Sequence, residues 1–382
     1  YDEGERGGGG VALYGEHALF TMEGGTISKN EAACYGGGVS VVRSAKFHMT
    51  DGTIGGTSSA DGNKVTQTSY STYGGGVYVA NDATFTMDGG TISYNATSST
   101  STTTGGGAVN AFSGTFTMNG GTLSNNTSAG SGGAVYIGSS GTCNLAGGTI
   151  SANTCGTSAY GSGVYVRSLS SNSGTLTMSG SAVVASGNDV YLPDDTSLAI
   201  AGTLTGASTG SATTTVATIT PSSYSTDTTV LTLADGADPT LVSEYAKFAL
   251  SDSSTYEINN SGKLQKNFSA VTEDDVKAKE TSMTTDDIVS DYQTLLGKQI
   301  YFKTSSGSYG VMQFTQVEDY DIQFKFKIGS GSVQEKTDGF QCKYGFDLDG
   351  DTTDDNNKDF GIDGDSPYTF TAYNGAMFYV LD

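Results

Sequence analysis

Carboxylates spaced two residues apart are the clearest chemical signal in this chain. Asp347, Asp349 and Asp351 alternate in a glycine-containing stretch, and Asp354 and Asp355 follow closely. Alternate carboxylates in a loop converge on one hard cation, so the pattern predicts a calcium site. It departs from the helix–loop–helix calcium hand. Gly350 comes one residue after the second Asp, and Lys358 stands where the bidentate Glu belongs. The competing reading is a solvated acidic turn.

Catalytic chemistry is less well served. Glycoside cleavage needs carboxylates placed across a scissile bond. Glu23, Asp51 and Asp88 recur at one repeat position, but at a turn where other copies carry Asn119, Ala146 and Ser179. His17 and His48 have no partner evident in the sequence. No catalytic residue is assigned, and a non-enzymatic protein is expected; a polysaccharide lyase or hydrolase is the alternative. The Gly-Gly-Gly words are followed by neither a helix nor Lys-Ser, so they do not cradle phosphate.

Tyr78, Tyr136 and Tyr165, interrupted by Asn110, recur at one outward position and predict an interaction face for a glycan or a host protein. Thr26, Thr53, Thr91, Thr122 and Thr149 form a hydroxyl rank nearby. Such ranks resemble those of ice-binding solenoids, but Gly55 and the Ser residues of the second rank weaken that match.

The elements that position these residues are short strands between glycine corners. Residues 74–80 (GGGVYVA) and 84–95 (TFTMDGGTISYN) recur as residues 8–30, 36–56, 105–126, 132–153 and 161–188. Within each copy apolar residues alternate, as half-buried strands require. Val77/Val79, Phe85/Met87 and Ile92 form one inward set, and Val109/Ala111, Phe116/Met118 and Leu123 the next. A single copy has no core, so the copies must stack, each backbone pairing with the coil above and below. The reading is an all-β, right-handed, three-sided parallel β-helix of about six regular coils, with irregular closing coils. The insertions, such as Gly56 to Tyr73 and Thr97 to Thr104, fall at one corner and predict a decorated edge.

The words GGGVYV, TFTMDGGTIS followed by Asn95, and Ser186-Gly-Asn-Asp-Val-Tyr-Leu-Pro193 resemble the parallel β-helix repeats of bacterial surface and secreted proteins, including polymorphic outer-membrane-protein-like adhesins. The resemblance covers roughly residues 8 to 265. It implies a secreted or cell-surface location and leaves the role open.

The formal charge of −22 argues against nucleic-acid and anionic-membrane partners, and no apolar run is long enough to span a bilayer. A chain that begins at Tyr1 rather than Met reads as processed or trimmed. Cys34, Cys143, Cys155 and Cys342 lack zinc spacing; Cys143 falls in the phenylalanine column and should be buried. No amphipathic segment precedes the first coil, so Phe20, Met22 and Ile27 are expected to have an open side, suited to self-association through the solenoid ends. The C-terminal domain is a second candidate for that contact.

Three regions follow: repeats at 1–196, irregular coils and capping strands at 197–267, and a small, mostly antiparallel β domain at 268–382. Thr284 as N-cap and a shared face of Ile288, Tyr292, Leu295 and Leu296 predict a helix over 285–296.

Overall fold

The computed structural model describes residues 7–68, 72–156, 158, 160–205, 215–226, 228–284, 288–290, 297–304, 307–318, 321–329, 331, 334–340, 360–363, 368–372 and 377–380. The chain divides into two compact units, one of residues 1–253 and 261–264, the other of 254–260 and 265–382.

The first unit is the expected solenoid. Its first face stacks nine parallel strands: Val11–Tyr14, Val39–Val42, Val77–Ala80, Val109–Phe112, Val135–Ile137, Val164–Val166, Val190–Leu192, Ala217–Pro221 and Phe248–Leu250. The second face includes Thr84–Met87, Thr115–Met118 and Thr142–Leu145, and the third Thr91–Ser93, Thr122–Ser124 and Thr149–Ser151. Equivalent residues pair: Phe85 with Phe116, Phe116 with Cys143, and Ile92 with Leu123. A fourth ladder, of the two-residue strands Glu31–Ala32, Lys64–Val65, Ala96–Thr97, Thr127–Ser128 and Thr154–Cys155, joins the three expected faces. Two residues are too few to show alternation, which is why the repeat alone does not reveal it.

Packing follows the predicted columns. Phe47, Phe85 and Phe116 are buried, and with Phe20 their rings stack at 5.1, 4.5 and 5.1 Å between centroids. Offset aromatic stacking at this spacing adds to simple area burial. Cys143 continues the phenylalanine column and is fully buried, while Met49, Met87, Met118 and Leu145 fill the next column. Gly74 turns the chain into its first strand at φ 68°, where a Cβ would stand 2.2 Å from the carbonyl oxygen of Val77. Only glycine fits that corner.

One column is polar and was not anticipated as a structural element. Asn30, Asn63, Asn95, Asn126, Asn153 and Asn188 lie one above another, and the last five are buried. The Nδ2 of Asn63 donates to Oδ1 of Asn95 at 2.8 Å, that of Asn95 to Asn126 at 3.0 Å, and that of Asn126 to Asn153 at 3.0 Å. Each Oδ1 also accepts a backbone N–H from the coil before, as from Asn95 N to Asn126 at 3.0 Å. Satisfied this way, a buried amide stabilises the turn instead of opposing burial. The residue before the ladder is left-handed in five copies, at Lys29, Tyr94, Asn125, Ala152 and Gly187, which aims the amide inward.

The closing coils end on a buried charge. Glu244 is 1% exposed, accepts the backbone N–H of Leu204 at 2.9 Å, and pairs with Lys247 at 2.9 Å. Lys247 in turn donates to the carbonyl of Leu204 at 2.7 Å. The pair therefore closes both backbone groups at the end of the strand Leu198–Leu204.

The second unit is mostly antiparallel. Its five-stranded sheet runs Gln334–Phe340, Asp321–Ile328, Tyr309–Glu318, Gln299–Lys303, Met377–Val380. Phe268, Val271, Val276, Tyr301 and Val311 form a core cluster. Within the helix expected over 285–296, Ile288–Ser290 is instead a strand pairing antiparallel with Tyr368–Ala372, and residues 285–287 and 291–296 lie outside the described ones. Strand pairing outweighs local helix propensity there. A described helix in this unit is Glu273–Lys277, started by a capping box between Thr272 and Asp275.

Candidate functional site

The tyrosines expected to form an open face are covered. Tyr78 and Tyr136 are buried, as is Asn110, and Tyr165 is half-buried. Tyr78 packs against both Tyr35 and Tyr73, at centroid distances of 4.9 and 6.0 Å, and those two rings also touch each other at 5.9 Å. Tyr136 stacks on Tyr165 at 5.0 Å and donates its hydroxyl to the carbonyl of Thr103 at 2.8 Å. Alternation along the strand correctly places these side chains on the outer side. It does not say that the preceding corner, which carries Tyr35 and Tyr73, and the Ser/Thr-rich insertion fold over them.

The aromatic column opens at its far end. Tyr165 stacks on Tyr191 at 5.6 Å, and Tyr191 on Tyr160 at 4.4 Å. Tyr160 is 47% exposed. Burial, then the neighbouring tyrosines and Asp194, raise the Tyr191 phenol to about 12, so it remains a neutral donor at any physiological pH. Neither Tyr160 nor Tyr191 was singled out from the sequence. The signal available was a tyrosine before a Gly-x-Gly corner and another in the Val-Tyr-Leu copy of the first strand.

The second site is ionic. His48 Nε2 lies 2.6 Å from Asp88 Oδ2, correcting the expectation that His48 lacks a partner. Asp88 Oδ1 accepts from Asn119 Nδ2 at 2.7 Å. These bonds, Asn119 first and His48 second, lower the Asp88 carboxyl below its usual range. Asp51 pairs with Glu23 on the preceding coil, so the acidic column is real. It lies at the solvent-exposed bend between second and third faces. His48 and Asp88 reach each other because His48 occupies the outward position that Thr86 holds one coil on.

The hydroxyl rank is in register, Thr53 with Thr91, Thr91 with Thr122, and Thr122 with Thr149. In the second rank Ser93 is buried and donates to the carbonyl of Gly56 at 2.6 Å, which breaks the flat exposed pattern. Asp347, Asp349, Asp351, Asp354 and Asp355 lie outside the described residues. Among those described, no three His, Cys, Asp or Glu side chains converge as a metal site, and Cys34, Cys143 and Cys155 are free thiols. No helix among the described residues is long and apolar enough to cross a membrane. No family model, curated protein or solved structure matches the chain.

Proposed function

We propose that this chain is a non-enzymatic extracellular protein whose solenoid serves as a stiff structural element. In this reading it joins end to end into a surface fibre or layer, or presents its faces as an adhesin. The observation that carries the reading is the edge at Val11–Tyr14. That strand pairs with Val39–Val42 on one side and, among the described residues, with no strand on the other. Tyr14 is 60% and Leu19 66% exposed, and Phe20 and Ile27 are half-buried, whereas the equivalent Phe47 and Ile54 on the next coil are fully enclosed. Among the described residues this edge is apolar and unpaired on its outer side; such an edge is a template for another strand, and a head-to-tail contact that does not close propagates.

Sedimentation and electron microscopy over a range of concentrations test this. Filaments or end-joined dimers that disappear in Leu13→Lys are the expected result; monomers at every concentration would remove the fibre version.

The His48–Asp88 contact favours one further reading, a carbohydrate-active enzyme acting at the acidic column. Release of reducing ends or unsaturated products from polysaccharides, lost in Asp88→Asn, would support it. No release across acidic and neutral polysaccharides would dismiss it.

A further inference from the structure

Two successive turns of the solenoid enclose a space that its packing does not use. One begins at Pro193, after the strand Val190–Leu192; the other begins at Ser222, after Ala217–Pro221 on the next coil. Between them lies an open cleft of about 400 Å³. That volume falls within the range of small-ligand sites.

Two carboxylates and six hydroxyls make up the polar side chains of the cleft: Asp194 and Asp195 with Thr196, Ser197, Ser222, Ser223, Thr228 and Thr229. Asp194 Oδ1 accepts the hydroxyls of both Ser222 and Ser223, the latter at 2.9 Å. Thr196 donates its hydroxyl to the carbonyl of Pro193 at 2.6 Å. With these three protons committed, Asp194, Ser222, Ser223 and Thr196 offer lone pairs to the cleft, while Ser197, Thr228 and Thr229 add hydroxyls able to donate or accept. The same hydrogen bonds, Ser222 first, hold the Asp194 carboxyl below its usual range, so it is ionised. Leu192, Pro193, Pro221 and Val230 contribute the apolar part of the wall.

An acceptor-rich, partly apolar cleft suits a ligand with many hydroxyl donors and an apolar ring face. A hard cation is a poorer fit, because only two carboxylates line the space and no three metal-binding side chains converge among the described residues. Two carboxylates, in a chain of formal charge −22, also repel anionic sugars. Beside the first turn stand the stacked rings of Tyr191 and Tyr160, 4.4 Å apart, a platform on which a sugar chain leaving the cleft can continue.

We propose that this cleft binds one or two residues of a neutral or amino sugar, whose hydroxyls donate to Asp194 and Ser222 while a ring face lies on Pro193 and Pro221. The proposal rests on the adhesin version of the function above and names its ligand class and location.

Saturation-transfer NMR and calorimetry on the full chain, with galactose, N-acetylglucosamine and cellobiose as probes and glucuronic acid as the anionic control, test it. At least one neutral probe should bind and glucuronic acid should not. Asp194→Asn should weaken binding by about tenfold or more, the loss of one charge-assisted bond. Tyr160→Ala should weaken cellobiose more than the monosaccharides. Melting curves of each variant show that the fold is retained. Absence of binding by all neutral probes overturns the proposal, as does equal binding of glucuronic acid. Binding undiminished in both Asp194→Asn and Ser222→Ala overturns this location while leaving the adhesin reading intact. Filament formation is scored separately, so failure here does not touch the fibre version.

Discussion

Asn95 and Asn126 occupy the same place on successive coils, and the second takes both the side-chain and the backbone N–H of the first on a single oxygen, each at 3.0 Å. Asn126 Nδ2 also reaches the carbonyl of Ile92 at 2.9 Å. Asn126→Ala therefore takes the acceptor from the buried backbone N–H of Asn95 and the side-chain donor from the carbonyl of Ile92, while Asn95 Nδ2 keeps the carbonyls of Ile54 and Ser93. A loss of about 2–4 kcal/mol is expected from unpaired buried groups, measured as a shift in the urea midpoint.

Phe85 and Thr86 are neighbours on one strand that face opposite ways. Phe85 is fully enclosed between Phe47 and Phe116, so Phe85→Ala should cost about 3–5 kcal/mol. Thr86→Ala, at a half-buried outward position, should change stability by less than about 0.5 kcal/mol. Denaturation of the two variants side by side checks the direction of the strand.

Gly121 and Gly187 share a φ of 85°, but a Cβ on Gly121 would stand 2.7 Å from the carbonyl oxygen of Gly90 and 2.6 Å from Met87 Cε, whereas one on Gly187 would meet nothing within 4 Å. Gly187→Ala isolates the conformational cost of about 1–2 kcal/mol. Gly121→Ala should lose visibly more, because the Gly90 carbonyl cannot swing aside as the Met87 methyl can. Calorimetric melting of the parent chain and the two variants reads out both effects.

High pH should unfold the solenoid early. Burial raises the thiol of Cys143 and the phenols of Tyr136, Tyr165 and Tyr191. Each is more readily ionised in the unfolded chain, so its contribution is intact below the unfolded value and lost as pH rises. Stability should be level to about pH 9, then fall by up to about 1.4 kcal/mol per pH unit for each group that ionises only on unfolding. Melting temperatures from pH 8 to 11 test this, and Cys143→Val should delay the onset towards pH 10.

Much of this architecture is legible before any coordinates. Apolar residues alternate with period two in every copy, and burial of one set leaves one register possible. The asparagine ladder was visible as Asn95, Asn126 and Asn153, each three residues after Ile or Leu, yet an amide gives no hydrophobic signal and reads as a turn. Tyr78 and Tyr136 were assigned to the correct side of the strand but not to the correct surroundings, because covering depends on corner and insertion residues remote in pairing. The helix expected at 285–296 failed at Ile288–Ser290, where an apolar run too short for periodicity to decide lies beside a sheet edge. The cleft at Asp194 and Ser222 joins turns of two irregular coils, and no repeat aligns them.

Strand contacts in the regular coils link each rung to the one before and the one after, with Phe85, Phe116 and Cys143 in one line and Asn95, Asn126 and Asn153 in another. Nothing in such a line records how many rungs it contains. Excision of residues 105–130 would lay Cys143 directly on Phe85 and hand the Asn95 amide to Asn153, giving a shorter tube of unchanged bore. Reach is thus a quantity that whole-copy duplication or deletion can set, independently of whatever the two ends carry.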